Sequence, residues 1–113
     1  MIKTPAAAAV PATAPELSER QKRYLRGLAH PMKPVIRLGN AGLTEAVVRE
    51  AVRALKDHEL IKVKTLGGDR GARDALLEAL ATRTASTLVQ RIGNVAVYYR
   101  PRAEPPRILI PDT

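Results

Sequence analysis

The ten residues Val35-Ile36-Arg37-Leu38-Gly39-Asn40-Ala41-Gly42-Leu43-Thr44 constrain this chain more than any other stretch. Val35, Ile36 and Leu38 are strand formers bounded by Pro34 and Gly39, which predicts a short buried strand. Gly39 and Gly42 frame two small residues, and glycine allows both positive φ and close approach of another backbone. Thr44 then reads as an N-cap, with Glu45 in the first turn. Val47, Val48, Ala51, Val52 and Leu55 follow at helical spacing, predicting a helix over about 45–57. A helix start leaves backbone N–H groups without acceptors, and its dipole favours an anion. Gly-x-x-Gly ahead of a helix can therefore seat a phosphate, as in KH-type RNA binding. The same pattern also serves as a plain strand-to-helix turn.

The flanking sequence extends this alternation. Ser18-Glu19-Arg20-Gln21 is a capping box, Ser at the cap and Gln three residues on, opening a helix to about Ala29. On a helical wheel Gln21, Tyr24, Leu25 and Leu28 share one side, while Arg20, Lys22, Arg23 and Arg26 fill the other. Those four cations are either a solvated face or a surface for a polyanion; only Glu19 opposes them. Pro31 and Pro34 break the helix before the first strand. Lys33 and Arg37 are expected to add positive charge close to the glycine loop.

Leu60 to Thr65 alternates as a second strand, Ile61 and Val63 to one side, Lys62 and Lys64 to the other. The two lysines either touch RNA or protect an exposed strand. A second Gly-x-x-Gly, Gly68 to Gly71, precedes a third helix capped by Asp69 and reaching about Thr82, with Leu76, Leu77 and Leu80 as its stripe. Thr87–Ile92 and Val95–Arg100 are the third and fourth strands, joined by a Gly93-Asn94 hairpin turn. The predicted order is helix, then β-α-β-α-β-β: parallel pairs from the strand-helix-strand units and an antiparallel final hairpin. The fold class is a two-layer α/β (α+β) domain, a four-stranded mixed sheet packed with helices.

Composition narrows the partner. Lys and Arg number 19 against 11 Asp and Glu, a net charge of +8 in 113 residues, which points to nucleic acid or an acidic membrane surface. The core is aliphatic, with three Tyr and no Phe or Trp. Absence of Cys rules out disulfides, zinc-cysteine sites and thiol catalysis, and fits a reducing cytoplasm. No apolar run approaches the ~18 residues of a spanning helix. The Ala-rich start, broken by Pro5, Pro11 and Pro15, is not expected to be a signal peptide. Residues 1–16 are expected to be a disordered Ala/Pro-rich tail, 17–100 the folded domain, and 101–113 a Pro-rich tail. Within that last tail Ile108-Leu109-Ile110 could dock on the domain or on a partner.

Catalysis finds no constellation. His30 and His58 are the only histidines, and His58 between Asp57 and Glu59 has neighbours that point in different directions. No catalytic residue, metal site, cofactor or small-molecule substrate is expected, and the histidines read as helix-end residues. A membrane-surface helix would need more bulky apolar residues than the first helix can spare from the core. Nothing resembles a DNA recognition helix. A protein–protein scaffold without RNA affinity is the remaining rival.

Four blocks together resemble a known family. Tyr24-Leu25-Arg26-Gly27-Leu28-Ala29-His30, Met32-Lys33-Pro34, Leu38-Gly39 with Gly42-Leu43-Thr44, and His58-Glu59-Leu60-Ile61-Lys62-Val63-Lys64 look like a CRM domain, in bacteria the stand-alone YhbY-like proteins. The resemblance implies a fold similar to the C-terminal domain of translation initiation factor 3. It implies a monomeric, cytoplasmic RNA-binding protein associated with rRNA of large-ribosomal-subunit precursors. It also assigns the family loop to Gly39-Asn40-Ala41-Gly42 rather than Gly68–Gly71. The family usually carries Lys or Arg between those glycines; here Asn40 and Ala41 bring no charge, so backbone N–H groups must work with Lys33 and Arg37. The expected RNA surface is that loop together with Arg20, Lys22, Arg23, Arg26, Lys33, Arg37, Lys62 and Lys64.

Overall fold

Ser18 opens the first helix by reciprocal capping. Its hydroxyl accepts the Gln21 N–H at 3.1 Å, and the Gln21 carboxamide oxygen accepts the Ser18 N–H at 2.9 Å. Helix α1 covers Glu19–Ala29. The computed structural model describes residues 14–39, 41–66, 69–101 and 108–111. Most of the Ala/Pro-rich tail, Asn40, Gly68 of the second glycine pair, and Pro105 and Pro106 lie outside the described residues. Strand β1 is Ile36–Leu38 and helix α2 Glu45–His58, where the Thr44 hydroxyl takes the Val47 N–H at 3.2 Å. Strand β2 is Leu60–Thr65; helix α3 is Arg70–Thr84, where Asp69 takes the Ala72 N–H at 2.9 Å. Strands β3 (Thr87–Ile92) and β4 (Val95–Tyr99) form the final hairpin, with Gly93 at φ 60° in its turn. Helix α3 runs two residues beyond the expected Thr82. It ends at Ala85, whose φ of 55° turns the chain into the left-handed region.

The sheet is mixed, in the order β1-β2-β4-β3. Strands β1 and β2 pair in parallel, and β4 is antiparallel to both of its neighbours. The second expected parallel pair does not form: β3 runs in the direction of β2, but β4 is inserted between them. The hairpin turn explains the insertion. The Thr65 N–H donates to the Asn94 carbonyl at 2.8 Å and the Asn94 amide to the Thr65 carbonyl at 3.1 Å, tying the turn to the end of β2.

The layers number three, not two. Ile36, Leu38, Ile61, Val63, Ala96 and Tyr98 face α2 and α3, packing on Ala51, Leu55, Leu77 and Leu80. Leu60, Val97 and Tyr99, with Val89 at a bulge in β3, face the other way onto Leu25 and Ala29 of α1. With helices on both faces, the alternation of β4 disappears and Ala96–Tyr99 is buried throughout. Arg100 lies just beyond the strand, not in it; it is buried and its guanidinium donates to the Thr84 carbonyl at 2.9 Å.

The C-terminal patch docks on the domain. Ile108 and Ile110 pack with the α1-side core. The carboxylate of Glu59, fully buried, accepts the Ile108 N–H at 2.5 Å, and Gln21 Nε2 donates to the Pro111 carbonyl at 2.8 Å. At the other end, Leu17 joins the same core and the Thr87 hydroxyl donates to the Pro15 carbonyl. Described residues of both expected tails are therefore held against the sheet.

Candidate nucleic-acid interface

The glycine loop leaves β1 as a tight turn. The Gly42 N–H donates to the Gly39 carbonyl at 3.0 Å, and Gly42 takes φ +71°, a conformation that L side chains adopt at a cost. Gly39 is exposed, and a Cβ there would meet nothing within 4 Å. Its backbone is thus open to a ligand. Thr44 satisfies Val47, while the N–H groups of Glu45 and Ala46 have no acceptor inside the helix. The start of α2 therefore presents partial positive charge beside the loop.

Leu66, which leads toward the competing glycine pair, lies next to Leu38, which leads into the first. The Leu66 N–H donates to the Leu38 carbonyl at 2.8 Å, which brings both chain segments to the same end of the sheet. They differ in form, because Gly71 lies within the first turn of α3, with the Asp69 carboxylate 3.4 Å from where its Cβ would be.

Arg37 and Lys64 face away from α2 and α3. They are register partners on β1 and β2, so two cations stand side by side on the α1 side of the sheet. Unlike-charge pairs stabilise such positions and like charges do not, so folding alone does not account for them. Arg37 is exposed and Lys64 half-buried.

Lys62, on the same face, is occupied otherwise. Its ammonium donates to the Met32 carbonyl at 2.9 Å and the His30 carbonyl at 3.3 Å. A cation there also complements the negative end of the α1 dipole. Lys33 is not close to the loop. It precedes β1 and lines a cavity with Leu28, Met32, His58 and Leu60, at the end of the sheet where β2 begins, whereas the glycine loop follows Leu38, which pairs with Thr65 where β2 ends.

Helix α1 is turned from the expected orientation. Leu25 and Ala29 are buried, but Tyr24 is 43% exposed and Leu28 39%. Arg20 and Arg23 point into solvent; Lys22 and Arg26 are half-buried, and Lys22 stands 3.9 Å from the Glu19 carboxylate. The expectation of four outward cations therefore reduces to two exposed ones. Tyr24, assigned to the core from its spacing, is a surface residue instead. Its neighbours hid this, since Leu25 and Leu28 are both apolar and the small Ala29 contributes little to an apolar face.

His30 caps the C-terminus of α1 and His58 ends α2, both exposed. Among the described residues no group of three or more His, Asp or Glu could hold a metal ion, and no helix is long and apolar enough to cross a membrane.

Residues 17–100 match the CRS1 / YhbY (CRM) domain. The chain belongs to this family. An RNA-binding protein of Haemophilus influenzae is 48% identical to this CRM domain over 88 residues, 78% of this chain and 89% of that protein. Probable RNA-binding protein YqeI of Bacillus subtilis is 36% identical over 95 residues, 84% of this chain and 99% of that protein. The solution structure of a hypothetical protein from Staphylococcus aureus superposes with TM-score 0.73 at 38% identity, covering 85% of this chain and 100% of that one. The CRM fold is thus the one shared with a chain of known structure, and the relatives carry the names of RNA-binding proteins, not enzymes.

Proposed function

We propose that this CRM protein binds RNA of large-ribosomal-subunit precursors in the cytoplasm, as a non-enzymatic assembly factor. The observation that supports the reading is the open backbone of Gly39, which directly follows β1, with Arg37 and Lys64 paired on the adjacent strands at that end of the sheet. A phosphate at Gly39 would meet the N–H groups of the α2 start, with the two side-chain cations replacing the charge that Asn40 and Ala41 do not bring. Arg20 and Arg23 on α1 lie on the same side of the sheet as Arg37 and Lys64, so one RNA strand could contact both. Lys62 and Lys33 contribute less, the first through its carbonyl partners and the second through distance. The names of the relatives support RNA as partner; the ribosomal target follows from the family resemblance.

The test is RNA titration of the purified protein across ionic strength. With ~3 to 6 phosphate contacts, affinity falls with a log–log slope of roughly −2 to −5. A scaffold that only joins proteins would show no RNA affinity, and a slope of zero would overturn the electrostatic account. Crosslinking in cells, followed by sequencing of the bound RNA, tests the ribosomal target: enrichment of RNA other than large-subunit precursors would replace it.

A further inference from the structure

We propose that an open cavity between α1 and the C-terminal segment is a slot for one unpaired nucleobase, stacked on Tyr24 with its flanking phosphates on Arg20 and Arg23. The inference rests on RNA as partner and adds a base-contacting site apart from the glycine loop.

Three observations carry it. Of the three tyrosines, Tyr98 and Tyr99 are 1% and 2% exposed, whereas Tyr24 is 43% exposed. Tyr24 lines the cavity together with Arg20 and Arg23, and Arg20 is its neighbour one helical turn back. The opposite wall is Leu109, Ile110 and Pro111. That wall is built in place: Gln21 Nε2 holds the Pro111 carbonyl, the Glu59 carboxylate holds the Ile108 N–H, and Ile110, partly buried, packs against the α1-side core.

An aromatic face and an apolar wall flanked by guanidinium groups match the chemistry of a nucleotide, a flat π-surface joined to an anion. In a duplex both faces of each base are already covered by stacking, so the occupant belongs to a single-stranded loop or end. Stacking of this kind tolerates any base, since every base has a π-face. An acidic peptide would use the two arginines and leave the ring and the apolar wall without a role.

The test compares two RNAs with the full-length chain: a single-stranded oligonucleotide of ~12 residues and an abasic oligomer of the same length and phosphate number. Wild type is expected to bind the base-bearing RNA more tightly. Tyr24→Leu, which keeps apolar volume without a ring, should lose roughly 5- to 100-fold on that RNA and nothing on the abasic one. Tyr24→Trp should retain affinity and introduce the chain's single tryptophan, whose fluorescence the base-bearing RNA alone quenches. Melting of each variant checks that this exposed position leaves the fold intact. Equal affinity of Tyr24→Leu and wild type for the base-bearing RNA, or no tryptophan quenching on binding, overturns the slot while phosphate binding stands. No binding of either RNA by wild type overturns the slot and the proposed function together.

Discussion

The ammonium of Lys62 donates to the carbonyl of Met32 at 2.9 Å, pinning the segment after α1 to the sheet. Lys64, two residues on along the same face, has its side chain beside Arg37 instead. The alternating lysines of β2 therefore separate into one structural and one candidate RNA residue. Lys62→Met is expected to cost ~1 to 2 kcal/mol, since charge-assisted hydrogen bonds are lost and two carbonyls lose a donor. Lys64→Met should leave the melting temperature nearly unmoved and weaken RNA binding. Thermal melting and RNA titration of both variants check this; matched losses of binding without loss of stability would place both lysines on the RNA surface.

The two loop glycines should respond differently to substitution. Gly39 has no left-handed φ and open space around it, so Gly39→Asp should fold normally while putting a carboxylate where the proposed phosphate contact would form. Gly42, at φ +71°, resists any side chain by ~1 kcal/mol or more. Gly71→Asp should affect RNA less than Gly39→Asp. Equal binding losses at Gly39 and Gly71, with unchanged melting, would remove the special status of the first loop.

On α1, binding and stability should come apart between neighbouring positions. Arg20→Gln with Arg23→Gln changes two exposed side chains, each typically within ~0.5 kcal/mol of neutral for folding. The pair should weaken RNA binding and flatten the salt slope by about one to two units. Leu25→Ala deletes a fully buried side chain and should cost ~2 to 5 kcal/mol. Leu28→Ala, at 39% exposure, should cost well under that. An early-melting glutamine pair that still binds RNA would make these arginines structural.

Alkaline pH should unfold the domain through its buried tyrosines. Burial, with the Glu78 carboxylate adding to it, pushes the Tyr98 phenol well above its ordinary value. Burial and then Glu59 raise Tyr99 in the same direction. Both groups keep their protons in the fold, while the unfolded chain releases them near pH ~10. Their contribution is thus present in full below pH ~10 and is lost as pH rises from there toward the folded values. Tyr98→Phe should flatten the alkaline decline. It should also cost ~1 kcal/mol at neutral pH, because the Leu77 carbonyl loses the hydroxyl that donates to it at 2.9 Å. Chemical denaturation from pH 7 to 11 measures both effects.

Elements closed by local interactions were legible in the residues themselves. Ser18, Thr44 and Asp69 each cap a helix through a partner three residues ahead, so side-chain chemistry and spacing suffice to place the start. The Gly93-Asn94 turn and the glycine loop are likewise short-range, and the loop's place between β1 and α2 follows from the strand and helix periods on either side. Two of the four family blocks, Tyr24–His30 in α1 and Leu38 to Thr44 around the glycine loop, lie in these same local elements.

Tertiary structure decided what depends on partners distant in the chain. Backbone hydrogen bonds between strands carry no side-chain identity, so nothing in residues 95–99 announced that β4 would enter between β2 and β3. The third layer arose because Leu60, Val97 and Tyr99 needed cover on the face opposite α2 and α3, and α1 supplies it through Leu25 and Ala29. That docking turned Tyr24 outward and bound Lys62 to the carbonyls after α1. Glu59 and Gln21 then captured Ile108 and Pro111 from the far end of the chain, across sequence separations of 49 and 90 residues, beyond the reach of any local pattern.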